Sequence, residues 1–270
     1  MTYNNYLIIA SKQDPAGVNI TTQLSQYPQE KFKFHLVEGS ILEEKNLDIE
    51  RINQFDFVIF ASKHATNSEN PEKTLSIHAP GNPKQEFNGG KSGKLSPSSA
   101  FFNKQCFEIM NKNAKELNLR NYKITLEATH HGPFIDKPCA FIEIGSTISE
   151  WKDRKAGFVL AKTILDTIET LDENPYNEIA IGIGGPHYCP NFNKIQEKSN
   201  YALSHIIPQY ILPLTPEIVK EALDKTIEEV DLAIIDWKGV GNSDERDRII
   251  EILEKMYVRW KKASDVKKEI

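Results

Sequence analysis

Ile124-Thr125-Leu126-Glu127-Ala128, followed after ten residues by Cys139-Ala140-Phe141-Ile142-Glu143-Ile144, is the stretch on which the fold turns. Both runs are rich in β-branched or aromatic residues, of strand length, and apolar without alternation, the pattern of strands covered on both faces. A helical crossover between parallel neighbours needs a dozen or more residues. The short link therefore predicts a hairpin-like unit, and with it a partly mixed sheet.

Similar runs recur on either side: Tyr6 to Ala10, Phe32 to Val37, Phe57 to Ala61, Thr74 to His78, Ile179 to Ile183 and Leu232 to Asp236. We read all eight runs as strands of one central sheet. Between them lie amphipathic stretches with helix-start signals. Ser96-Pro97 sets a capping hydroxyl before a proline suited to a first turn, and a helix is expected from there to about Leu117. Further amphipathic segments follow Ser149, Thr215-Pro216 and Ser243. Strands alternating with helices give an α/β class, with a mixed, mostly parallel central sheet flanked by helices.

The 270 residues are enough for one large core, and no composition break or repeat marks a linker, so 1–270 is read as a single domain. Residues 79–99, from Ala79-Pro80-Gly81-Asn82-Pro83 to Asn88-Gly89-Gly90-Lys91-Ser92-Gly93-Lys94 and beyond, lack periodicity and predict a Gly/Lys-rich functional loop. Residues 261–270 predict a charged, fraying tail. Hydrophobic residues at 39% and charged residues at 26% exclude a disordered or fibrous chain. No apolar run approaches the roughly 20 residues of a membrane helix, and the N-terminus lacks a signal pattern, so a cytoplasmic protein is expected. Cys106, Cys139 and Cys189 form no CxxC pair, which suits a reducing compartment. With a net charge of −5, a nucleic-acid substrate has to be gripped by a local basic patch.

Chemistry concentrates in the histidines. His78, His130, His131 and His187 each lie at or just beyond a strand and beside glycine or proline. In open α/β sheets, ligands bind where strands run out into loops. Neutral imidazole binds metals and titrates near neutrality, so the group suits metal binding or acid–base work, whereas any one of them alone reads as a histidine satisfying a loop carbonyl. Glu127 and Glu143 lie on apolar strands, where an unpaired carboxylate is costly to bury. At least one is expected in a polar pocket. Glu143 is the better candidate as metal ligand, general base or partner of an ammonium, against a plain salt bridge to a loop lysine. Gly182-Ile183-Gly184-Gly185 offers backbone N–H groups for an oxyanion, but it lacks the third glycine of a dinucleotide fingerprint. Lys84, Lys91 and Lys94 in the loop, with Lys152, Arg154 and Lys155, are the basic candidates for a phosphate backbone.

Taken together, Phe60-Ala61-Ser62-Lys63-His64, Ser76-Ile77-His78-Ala79-Pro80-Gly81-Asn82, Ala128-Thr129-His130-His131-Gly132-Pro133, Glu143-Ile144-Gly145-Ser146 and Gly182-Ile183-Gly184-Gly185-Pro186-His187-Tyr188 resemble the archaeal and plant D-aminoacyl-tRNA deacylase family. The resemblance implies hydrolysis of the ester between a D-amino acid, D-tyrosine among them, and the 3′-terminal ribose of tRNA. It also implies a zinc-containing monomer without a stable protein partner, and a fold similar to peptidyl-tRNA hydrolases and nucleoside phosphorylases. Onto the matched positions we place His78, His130 and His187 as zinc ligands and His130, His131, Glu143, Gly184 and Gly185 as catalytic residues, with Lys84, Lys91, Lys94, Lys152 and Arg154 toward the tRNA. Two other readings stay open: a tRNA- or nucleotide-binding protein without hydrolytic activity, and a metal-dependent amidohydrolase on a small substrate. The absence of a compact HExxH signature weighs against ordinary zinc peptidases.

Overall fold

The computed structural model describes residues 3–66, 68–171, 176 and 178–266. Its larger sheet has six strands in the order β2 (Phe32–Val37), β1 (Tyr6–Ser11), β3 (Phe57–Lys63), β8 (Cys139–Gly145), β4 (Thr74–His78) and β7 (Lys123–Leu126). β2, β1, β3 and β8 run parallel; β4 is antiparallel to β8 and parallel to β7. The smaller sheet is all parallel, β10 (Tyr201–Ile207), β9 (Glu178–Ile183), β11 (Leu232–Ile235) and β12 (Arg259–Lys262). The α/β class with mixed, mostly parallel strands stands, but the strands divide between two sheets where one was expected.

Twelve residues separate β7 from β8, and the two do not pair as a hairpin. β4 lies between them, bonded to both. The connecting segment instead passes over the end of β4, where the Gly81 N–H donates to the carbonyls of His130 and His131 at 3.2 and 2.7 Å. It then touches the smaller sheet: the Thr129 N–H donates to Ile206 O at 2.8 Å and the Ala128 N–H to His187 O at 2.9 Å.

Alternation of side chains about the strands separates two faces of the large sheet. Ile59 and Ala61 of β3, Leu75 and Ile77 of β4 and Ala140, Ile142 and Ile144 of β8 share the main core with α1 (Pro15–Leu24), α3 (Ala100–Glu116) and α5 (Arg154–Thr170). That core also takes Ala180, Leu203 and Ile234 from the smaller sheet. The opposite face carries Val58, Phe60, Cys139 and Phe141, covered by Val37, Ile41, Leu47 and Ile52 from the 37–52 segment, which includes the short α2 (Ile49–Ile52). On this second face the register aligns Ser62 of β3, Glu143 of β8 and Ser76 of β4 in one row, and Phe60, Phe141 and His78 in the next.

Local chemistry explains where the helices begin. α3 starts three residues later than Ser96-Pro97 suggests, because the Ser96 hydroxyl is bonded to Pro133 O and Ile135 N, while Ser99 accepts the Phe102 N–H at 3.1 Å. Beyond Ser149, α4 (Ile148–Trp151) is a single turn and Asp153 caps α5. Thr215 caps α7 (Pro216–Asp224) with proline at its first position, Asn242 caps α8 (Ser243–Lys255), and α6 (Pro190–Lys198) follows His187. The 79–99 loop is ordered by a small antiparallel pair, β5 (Gly81–Asn82) with β6 (Lys94–Leu95). The expected tail begins inside β12 at Lys261 and Lys262; residues 267–270 lie outside the described residues. No described helix is long and apolar enough to cross a membrane.

Candidate active site

Seven titratable side chains converge where the two sheets meet. His64 follows β3, His78 ends β4, Glu143 sits on β8, Glu127, His130 and His131 come from the crossing segment after β7, and His187 comes from the turn after β9. Ring centroids of His78 and His130 are 4.3 Å apart, of His130 and His131 4.2 Å, and of His130 and His187 4.6 Å. The four histidines singled out in the sequence therefore share one site. The group forms part of the wall of a cavity of about 1170 Å³ whose lining includes Ser62, His64, His130, His131, Glu143, His187 and Tyr188.

Backbone carbonyls fix three of the imidazoles. His78 Nδ1 lies 3.2 Å from Ala79 O, His130 Nδ1 2.8 Å from Ala128 O and His131 Nδ1 2.7 Å from Gly132 O. A carbonyl can only accept, so each Nδ1 carries the proton and each Nε2 presents a lone pair. His131 reaches this pose with a left-handed backbone, φ 44°. His78 Nε2 is buried without a hydrogen-bond partner. The ligand atoms of His78, His130 and His131 lie within 4.8 Å of one another, and the same holds for His64, Glu127 and His187 and for His78, Glu127 and Glu143. The set inferred from sequence, His78, His130 and His187, is not among these groups; His131 takes the place of His187.

The carboxylates face imidazoles. Glu127 places its oxygens 3.2 Å from His64 Nδ1, 3.1 Å from His187 Nε2 and 3.7 Å from His130 Nε2, with neither oxygen accepting an aligned hydrogen bond. Glu143 lies 3.7 Å from both His64 Nδ1 and His78 Nε2 and accepts a hydrogen bond from Ser62. No lysine among the described residues pairs with it. Burial favours the neutral acid at both positions, but the histidines outweigh it: His187 and His64 hold Glu127 well below the usual carboxylate range, and His64 and His78 hold Glu143 at about 2. His64 resists its own burial and is pushed up to about 11 by the two glutamates. Burial, then the neighbouring imidazoles, pushes His130 well down and His131 to about 4. Tyr188 OH, 2.9 Å from His64 Nε2, steadies that ring from outside.

Other candidates fall outside this arrangement. Gly184 and Gly185 have φ of 93° and 82°, a region open to glycine, but the Gly184 N–H is committed to Ile207 O at 2.8 Å. Gly184 is therefore a strand-to-turn element and not an oxyanion donor; neither glycine is among the cavity lining. Of the basic candidates, Lys84 lines the cavity; Lys91 lies over the Phe134 ring at 4.7 Å and Lys94 pairs with Glu221 at 3.0 Å. Lys152 and Arg154 are exposed at the start of α5 and do not line it. Sequence reasoning passed over His64 as a site residue and ranked Glu127 below Glu143. The signal for His64 was the one used for the others, a histidine just past an apolar strand.

The chain's likenesses agree with one another. The sequence model of a family described as D-aminoacyl-tRNA deacylase matches residues 51–261. A D-aminoacyl-tRNA deacylase of Methanococcus maripaludis is 31% identical over 96% of this chain and 99% of its own, and one of Methanocaldococcus jannaschii is 31% identical over 95% and 99%. One from Thermococcus onnurineus is 34% identical over 86% of this chain and 91% of its own. A solved structure described as "Conserved Protein of Unknown Function AF0625" superposes with a TM-score of 0.88 at 29% identity, covering all of both chains.

Proposed function

We propose, from the premise that this chain belongs to the D-aminoacyl-tRNA deacylase family, that it is a hydrolase cleaving the ester between a D-amino acid and the terminal ribose of tRNA. The observation that carries the site assignment is the clustered set of imidazole Nε2 lone pairs of His78, His130 and His131, each fixed by a carbonyl on Nδ1, with His130 and His131 lining a large cavity.

The donor set fits zinc. Its atoms are nitrogens and carboxylate oxygens, His78 Nε2 and both Glu127 oxygens are buried without aligned partners, and the backbone carbonyls supply the outer contacts that orient metal-bound histidines. His78, His130 and His131 would hold it. Zinc, when bound, supplies a Lewis acid and water activated near neutral pH. Glu143, kept ionised by the charged His64 and oriented by Ser62, accepts the proton from the attacking water. Both its oxygens face these partners, which fits a proton acceptor better than an ammonium contact. His187, oriented by Glu127 and partly open to the cavity, protonates the departing ribose oxygen. His64, Glu127 and His187 offer a second donor set of the same atom types, and two zinc equivalents per chain in metal analysis would assign it to a metal as well.

Aminoacylated tRNA is a substrate found in the cytoplasm, and we place the enzyme there, acting as a monomer. The deciding test is kinetic. Uncharged tRNA should compete with D-tyrosyl-tRNA, and Glu143→Gln should lower kcat by about 100-fold or more. Full hydrolysis of small D-amino-acid amides with no competition by tRNA would favour the amidohydrolase reading instead.

A further inference from the structure

Seven large hydrophobic side chains are exposed among the described residues, and only Phe87 and Tyr210 of these also line the cavity. Each ring is 57% exposed, and each stands on a held backbone. The Phe87 N–H donates to Asn82 Oδ1 at 3.2 Å within the turn between β5 and β6. Tyr210 lies in the turn after β10, fastened by the Gln209 N–H to Gly185 O at 2.9 Å and by the buried Ile211 beside it. Near Phe87, the exposed Lys84 also lines the cavity, with no carboxylate partner among the described residues.

The cavity thus has a polar part, with Ser62, His64, His130, Glu143 and His187, and an outer part with aromatic rings and a cation. An ester held against the polar part puts the terminal nucleoside, and the unpaired nucleotides behind it, into the outer part. At about 1170 Å³ the cavity exceeds the roughly 300–1,000 Å³ of ordinary small-ligand sites, leaving room for more than an aminoacyl ribose. Unpaired bases are bound by stacking on aromatic faces beside a cation, and every base has such a face.

We propose that Phe87 and Tyr210 are the stacking platforms for the unpaired 3′-terminal bases of the tRNA. This rests on the function given above and adds the residues that seat its substrate. The test measures binding of a fluorescently labelled 5′-CCA trinucleotide by anisotropy alongside deacylation of D-tyrosyl-tRNA. Phe87→Ala and Tyr210→Ala should each weaken trinucleotide binding about tenfold, the scale of one lost base stack. KM for the charged tRNA should rise in parallel, with the loss greater in KM than in kcat. Phe87→Trp and Tyr210→Phe, which keep a ring, should bind like the parent. Unchanged trinucleotide affinity in both alanine variants, no trinucleotide binding by the parent, or a fall in kcat alone would overturn the proposal. Ring-dependent binding without any ester hydrolysis by the parent would sink the deacylase reading and leave the platforms standing.

Discussion

His78, His130 and His131 each surrender one nitrogen to a backbone carbonyl and keep the other for the site, a division of labour set by hydrogen-bond chemistry alone. Replacing His78 or His131 with alanine should therefore remove most bound zinc and turnover, while the thermal transition of the metal-free protein shifts only slightly. A large drop in metal-free stability would mark these rings as structural instead. His205 shows the contrasting case, a histidine buried in β10 between Thr129 Oγ1 at 3.2 Å and Lys225 O at 3.3 Å, its pKa lowered to about 4 by burial. Because the unfolded chain binds the proton more tightly, at about 6.5, this residue's contribution is complete above that pH. It is lost as pH falls toward 4, by about 3 kcal/mol at most. Denaturant titrations from pH 7 to 4 should show a shallower decline for His205→Gln than for the parent, and identical slopes would refute this. At this scale the sequence revealed that carboxylates on apolar strands need partners. It did not reveal which histidines those partners are, since His64 and Glu127 stand 63 positions apart and meet only through the sheet.

Helix starts and basic loops show what an element adds. Ser99 caps α3 and also donates to Glu228, which in turn accepts the Ala100 N–H at 2.8 Å, so Ser99→Ala should cost about 1 to 2 kcal/mol in chemical denaturation. In the 79–99 loop, the structure separates three lysines that look equivalent in sequence. Lys84→Ala should weaken tRNA binding and reduce the salt slope by about one, because it alone of the three lines the cavity; Lys94→Ala, already neutralised by Glu221, should leave both nearly unchanged. Equal effects of the two substitutions on the salt slope would show that the loop acts as a diffuse charge. The eight apolar runs were legible as strands because their local composition is unambiguous. β10 was passed over because Ser204 and His205 interrupt its apolar run, and both are satisfied by contacts, to Thr226 and Thr129, that only the folded chain supplies. β12 was passed over because Arg259, Lys261 and Lys262 give it the charged look of an edge, which is what it is.

For the whole molecule, the division into two sheets could not be read from local patterning, since both have strands of the same character and the main core draws on both. Yet that division makes the site: the larger sheet brings His64, His78 and Glu143, the smaller brings His187, and the segment carrying Glu127, His130 and His131 is hydrogen-bonded to both. The net charge of −5 leaves tRNA binding to local features, the cavity mouth among them, and not to a field around the protein. The proposed function places a zinc-dependent site for D-aminoacyl esters of tRNA at this junction. Its most direct test is release of tyrosine from D-tyrosyl-tRNA and L-tyrosyl-tRNA by the purified protein, before and after chelation and again after zinc is restored. D-tyrosine alone should be released rapidly, with release abolished by the chelator and recovered with zinc. Equal release of both enantiomers, or release indifferent to the chelator, would contradict this assignment.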